Sequence, residues 1–406
     1  MNAIARYRAL HGLALGLSLL AAGASAQDAL DADAAVQRAF AQAELSLQTS
    51  ALLGAAEADA IEARLWPNPQ LLIEQERGRG RLAGEDETRL LLSQEFDASG
   101  HRRLQRDAAA LGQESAQQLL QLQRSALRAE VLRAFHTAAA ASQHAEARGL
   151  ALEELRELVG IAMRREQAGE LSGFDRQRLE QQLGLAELQW QGAVAETGVA
   201  RAALAGWIGA LAPETRLVSA APRPPNDPAE HSESPTIVLL EAQLAQAEAA
   251  LRAERRLRLP IQLGLGQTRV ESPGLRDRAV VFELEVPLPL FERNQGGVLR
   301  ALAERDRIEA ELQRARRSRE AQVEALGAAL RSSIDSSRQY RQQLLPQARA
   351  LSDVARASFA EGELDLVGLL ETLRAEAELE GLAIDETLRA QLARVDLDTL
   401  STGDNP

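Results

Sequence analysis

Ala168-Gly169-Glu170-Leu171-Ser172 interrupts the longest breaker-poor run of the chain, and Glu361-Gly362-Glu363-Leu364-Asp365 repeats it 193 residues later. A second pair keeps nearly the same offset: Pro67-Asn68-Pro69-Gln70-Leu71-Leu72 and Leu259-Pro260-Ile261-Gln262-Leu263 each follow a helical run. Self-similarity of this kind means two copies of one structural plan. Each copy reads helix, strand pair, very long helix, break, shorter helix.

Outward from the first glycine, residues from His101 to Glu166 contain no proline. Leu104, Ala108, Leu111, Ser115, Leu119, Leu122, Ala126, Ala129, Leu132 and Phe135 recur in steps of three and four, which is one helical stripe. At 1.5 Å per residue such a helix is about 100 Å long, far beyond an ordinary globular helix. Its counterpart spans Val298 to Phe359, where Pro346 predicts a kink that the first copy lacks. Shorter helices follow the breaks, over 172–208 and 364–395.

On the other side of each long helix the period changes to two. Leu71 and Ile73 oppose Leu72, Glu74 and Glu76; Leu90, Leu92 and Phe96 oppose Leu91, Ser93 and Glu95. Ile261, Leu263 and Leu265 alternate with Gln262, Gly264 and Gly266, then Val280, Phe282, Leu284 and Val286 with Glu283 and Glu285. Period two with one polar face marks a strand. Gly78, Gly80 and Gly84, and Ser272-Pro273-Gly274, stand where hairpin tips belong. Residues 28–65 read as one helix, ended by Pro67 and Pro69. The domain plan is thus a first repeat over 27–212, a Pro-rich linker over 213–235, a second repeat over 236–397 and a tail over 398–406. The linker holds Pro222, Pro224, Pro225 and Pro228 and reads as loop or extended chain.

Residues 1–26 have the form of a secretory signal peptide: Arg6 and Arg8, an apolar run from Leu13 to Ala22, and Ala24-Ser25-Ala26 before Gln27. Cleavage between Ala26 and Gln27 is expected. The chain has no Cys, so neither an acylated cysteine nor a disulfide is expected. Beyond the leader no apolar run reaches the roughly 20 residues of a membrane-crossing helix, which leaves a barrel as the one structure able to span a bilayer. The formal charge is -13 and the aromatic content 3%, against 45% hydrophobic residues. An acidic chain is a poor partner for nucleic acid or an anionic lipid surface and a natural host for cations. Alanine and leucine in place of large rings suit long, closely packed helices.

Four strands with one apolar face cannot stand in lipid with open edges, since unpaired backbone groups there cost several kcal/mol each. The sheet therefore has to close with other copies. Two, three or four copies would reach the roughly eight strands of the smallest such barrels; two would give a barrel filled by side chains, and three would leave an aqueous passage. Glu95, Glu283 and Glu285 lie on the polar strand face, which is the lumen face if the apolar set meets lipid. No nucleophile motif, catalytic constellation or phosphate loop is present, so no enzyme and no cofactor is expected. His136 and His144 share a helix about 80° apart with no third ligand at helical spacing, and read as solvent-facing residues rather than as a metal site.

The order of elements resembles the TolC family of outer-membrane efflux proteins. So do Pro67-Asn68-Pro69, the run Pro287-Leu288-Pro289-Leu290-Phe291-Glu292-Arg293-Asn294-Gln295-Gly296-Gly297, Leu345-Pro346 and the two Gly-Glu-Leu breaks. The resemblance covers essentially the whole mature chain and is nearest to the CzcC-like heavy-metal branch. It implies a mainly α chain with a small β part: long antiparallel helical hairpins form an α-barrel tube, and four strands per copy contribute to a 12-stranded transmembrane β-barrel of a homotrimer. It implies outer-membrane lipid around the barrel, with a periplasmic adaptor and an inner-membrane resistance-nodulation-division (RND) pump as partners. Divalent metal cations are the implied cargo; organic compounds or type I secretion substrates are the alternative. A soluble periplasmic coiled-coil adaptor is the rival from another class. By the same resemblance, Gly169, Leu171, Gly362 and Leu364 mark the adaptor-docking tips. Asp175, Phe359, Asp365 and Glu371 mark the gate and lumen constriction, with Phe359 equally suited to tip packing. The basic partner that the family pattern would set against Asp175 is replaced by Leu364.

Overall fold

The computed structural model describes residues 29–78, 86–224, 234–272 and 274–400. The expected leader with its Ala26–Gln27 junction, Gly80, Gly84, Pro225, Pro228, Pro273 and the end of the tail lie outside the described residues.

The spine of the molecule is α3, His101–Gln167, 67 residues and about 100 Å long. Helices α1 (Ala32–Phe40), α2 (Ala43–Arg64), α4 (Gly173–Ile208), α5 (Pro235–Arg255) and α8 (Leu366–Thr399) all pack on it. Its second-copy counterpart is broken: α6, Gln295–Gln339, passes through a π-helical turn over Tyr340–Leu344 into α7, Leu345–Glu361. Pro346, in the first turn of α7, explains the break. Its ring has no N–H to donate and clashes with the carbonyl one turn back, so the ladder shifts register there. No described helix is long and apolar enough to cross a membrane.

Strands β2 (Gln70–Arg77), β3 (Asp86–Asp97), β5 (Pro260–Ser272) and β6 (Leu275–Glu285) form one antiparallel sheet in the order β2-β3-β5-β6. The β3–β5 pairing joins the hairpins of the two copies, with Leu92 opposite Leu265. Small side chains set the helix spacing. Ala138, Ala139 and Ala140 on α3, Ala193 on α4 and Ala249 on α5 are buried, and Gly149 leaves the room that Trp190 fills.

One departure from the sequence reading concerns the first copy. Residues 28–65 are not a single helix, because Ala29–Asp31 is a short strand, β1, whose Asp31 carboxylate caps α1 through the Ala34 amide at 2.7 Å. Gln42 then takes an extended conformation and separates α1 from α2. Within the linker, Arg216–Val218 forms β4 and pairs in parallel with β1. This pairing seats Leu30 over Val36, Val131, Phe135, Leu204 and Ile208, the core at mid-height of the helices. A second core, at the tip, gathers Leu158, Ala162, Leu179, Phe359, Leu366 and Leu369.

Candidate functional site

The sheet has two unlike faces. Leu71, Leu92, Leu265 and Phe282 stand in register across all four strands and are between 56% and 71% exposed. Ile73, Leu90, Leu263, Val280 and Leu284 widen this exposed apolar belt. On the opposite face the rows are Leu72-Leu91-Gly266-Val281, Ser93-Gly264-Glu283 and Glu95-Gln262-Glu285. Leu91 and Ser93 are buried there, and Glu95 lies 3.7 Å from Arg258. Gly266 is required: a side chain at that position would run into the Leu90 carbonyl and the Leu91 backbone. Strands β3, β5 and β6, at 12, 13 and 11 residues, are as long as a tilted bilayer crossing needs. Within one copy β2 and β6 are open edges.

The far end of the helices is built from two matching turns. Gly169 (φ 75) and Gly362 (φ 86) adopt the left-handed conformation that ends a helix. The Glu170 amide donates to Arg165 O and the Gly169 amide to Glu166 O; Glu363 donates to Ser358 O and Gly362 to Phe359 O. The following helices start on caps at equivalent positions. Ser172 Oγ accepts from the Asp175 amide at 3.1 Å, and Asp365 Oδ1 from the Gly368 amide at 2.9 Å. The Asp175 carboxylate in turn accepts from the Ser172 hydroxyl at 2.6 Å. Leu171 and Leu364 pack on the tip core, so the leucine that replaces the expected basic residue completes an apolar contact.

Phe359 is fully buried in that core. Within its own copy the ring occupies a packing position. The Arg165 guanidinium lies 5.3 Å from the ring centroid and donates to Phe359 O at 2.5 Å, tying α3 to α7. Glu371 is exposed on α8, one turn past Val367. The sequence reading missed Arg165, Phe174 and Arg176. Phe174 is 71% exposed at the first turn of α4, and Val367 is exposed at the matching place on α8. Arg176 pairs with Glu166 at 2.6 Å and with Glu180, which braces the first turn. The pattern Ser172-x-x-Asp175 is a local signal from which this cap could have been read.

Above the tip, polar links join the two hairpins. Arg356 on α7 reaches Glu154 on α3 at 2.8 Å and Glu376 on α8 at 3.1 Å. Burial pushes the Glu154 carboxyl above its ordinary range, and Glu376, Asp353 and Glu157 add to this against the pull of Arg356. Arg133 meets Asp396 at 2.7 Å, and His144 meets Asp385 at 2.9 Å, both between α3 and α8. His136 is not solvent-facing: it is 7% exposed, edge-on to Phe135, with Nδ1 3.0 Å from Ser219 Oγ. The chain after β4 covers it, and burial pushes its pKa down to about 4.

A two-faced sheet at one end of paired 100 Å hairpins can be compared with known proteins. No family model matches the chain. The cobalt-zinc-cadmium resistance protein CzcC of Cupriavidus metallidurans is 26% identical over 332 residues, covering 79% of this chain and 78% of CzcC. The outer-membrane channel OprN superposes with a TM-score of 0.76 at 19% identity, over 92% of this chain and 90% of its own. The chain has the fold of these outer-membrane channels. A membrane protein from Pseudomonas aeruginosa superposes with a TM-score of 0.74 at 22% identity, over 91% of this chain and 89% of its own.

Proposed function

We propose that three copies of this chain form the outer-membrane duct of a tripartite efflux system that exports divalent metal cations. The carrying observation is the sheet: one continuous apolar face, one polar face and two unpaired edges. Four strands from each of three copies would close it into a barrel with lipid outside and Glu95, Glu283 and Glu285 toward an aqueous lumen. Exposed Leu185, Leu188 and Val199 on α4, and Leu351 and Val354 on α7, would be covered as the helices of neighbouring copies complete the tube. Transport energy comes from an inner-membrane RND pump, coupled through a periplasmic adaptor that meets the tips around Gly169, Leu171, Gly362 and Leu364. Asp175, Asp365 and Glu371 supply carboxylates at the narrow end, where three copies bring like charges together and attract cations.

The metal assignment rests on the likeness to CzcC, whose name records cobalt, zinc and cadmium, and on the net charge of -13. Deleting the gene should lower tolerance to zinc, cobalt and cadmium and leave tolerance to hydrophobic drugs unchanged. The reverse pattern overturns the cargo assignment. The duct itself is tested by extraction: a detergent-requiring trimer is expected, and a soluble monomer in periplasmic extracts sinks it.

A further inference from the structure

Beyond the end of α4, residues 212–224 cross the molecule at mid-height as a strap. On α4, Arg201 donates to Ala212 O at 2.6 Å and to Thr215 O at 3.0 Å. Arg216–Val218 then pairs with β1, and Ser219 Oγ meets His136 Nδ1 of α3 at 3.0 Å. Farther along, Gln391 of α8 donates to Ala220 O, and Arg394 to Pro224 O at 3.1 Å. One short segment thus ties α3 and α4 of the first copy to the last helix of the second.

Of these fastenings, the imidazole is the one able to take up a proton just below neutral pH. It is buried under the strap beside the Phe135 ring, and the strap offers it a neutral hydroxyl. Charged groups on the surrounding elements are turned to other partners. Asp31 of β1 caps α1, and Asp33 of α1 faces Arg128 at 3.5 Å. On α8, Asp396 meets Arg133 of α3 at 2.7 Å, and Arg394 meets Asp398 at 2.9 Å. Arg201 of α4 is spent on the strap's own carbonyls, and Glu214, Arg216 and Arg223 in the strap are exposed. A proton on the ring therefore places an uncompensated charge in apolar surroundings, which favours any conformation that returns the imidazole to water. Lifting the strap is the easier route: α3 is unbroken helix at this height, and 219–224 belongs to no helix or strand.

We infer that residues 215–224 form an acid-released strap: protonation of His136 detaches the segment from α3 and α8 and unties the two copies of the plan at mid-height. The inference rests on contacts within one chain and stands apart from the barrel and from the cargo. In a duct whose helices lie outside the cytoplasm, the strap answers to the acidity of the medium.

The test follows amide exchange of the full chain in detergent at about pH 7.5 and about pH 5, with labelling times scaled to the intrinsic rate at each pH. The ordinary imidazole value of 6.5 and the value of about 4 in the fold set the size of the effect. Protection of the amides at 216–221 should fall roughly 30-fold at the lower pH. In His136→Gln, whose amide group can still meet the Ser219 hydroxyl, protection should be the same at both. Ser219→Ala keeps the ionisable ring, so its strap should be less protected at neutral pH and should still loosen in acid. That variant carries the test if His136→Gln does not fold. Equal protection of the unmodified chain at the two pH values overturns the inference, and so does an acid loss that His136→Gln retains. Faster exchange at 131–139 with 216–221 unchanged also overturns it, because the ring then leaves its site by fraying of α3 and the strap stays in place.

Discussion

Glu166 and Phe359 occupy the same place in the two copies, three residues before a left-handed glycine. Their carbonyls accept the same backbone bond, yet their side chains do opposite things. Glu166 pairs with Arg176 at the surface, and Phe359 is the buried centre of the tip core. His136 and Ala329 repeat the contrast higher up. His136 lies beneath the chain that follows β4, while Ala329 on α6 is exposed. The backbone plan was duplicated and the side-chain roles diverged: α3 is covered by helices of both copies along its length, and the α7 end of the rod is buried against α3 at the tip. A continuous spine and a rod broken by a π-turn and a proline are the outcome.

The largest test of this asymmetry is Phe359→Ala, expected to lower the opening free energy of the tip by about 3–5 kcal/mol. Glu166→Ala should cost under about 1 kcal/mol, as exposed pairs do. Amide exchange over 158–162 and 366–370 measures both, and equal losses would erase the distinction. Next is acid. His136 is held neutral in the fold, and the unfolded chain takes up its proton below pH 6.5. Its contribution is therefore complete above 6.5 and is lost as pH falls toward about 4, a loss of about 3 kcal/mol in local stability. Exchange at 131–139 should accelerate across that window, and His136→Gln should flatten the profile; no difference between the two proteins refutes it.

The glycines offer a finer comparison. Gly169→Ala forces a side chain into left-handed backbone at a cost of about 1–2 kcal/mol. Gly362→Ala should cost more, since its new Cβ would lie 2.9 Å from Arg165 Nη2 and nothing crowds Gly169. Thermal melts of the two variants rank them, and the opposite order would break the assignment of Arg165 to the second tip. Smallest are the caps: Asp365→Ala and Ser172→Ala should each cost about 1 kcal/mol. Ser172→Ala should be the worse, because Asp175 loses the hydroxyl it accepts from.

Much of this architecture was legible residue by residue. Periodicity placed α3 within one residue of its end and assigned both faces of each strand, since helix and strand periods are properties of the local chain. Gly169, Gly362 and Pro346 announced turns and a kink because φ > 0 and a missing donor constrain the backbone wherever they occur. Tertiary structure alone decided the rest. It paired Ala29–Asp31 with Arg216–Val218, set β3 beside β5, buried His136 against Ser219 and placed Arg165 over Phe359. Each of those contacts joins segments more than 80 residues apart. Burial and partner are properties of the packed whole, and no local period reports them.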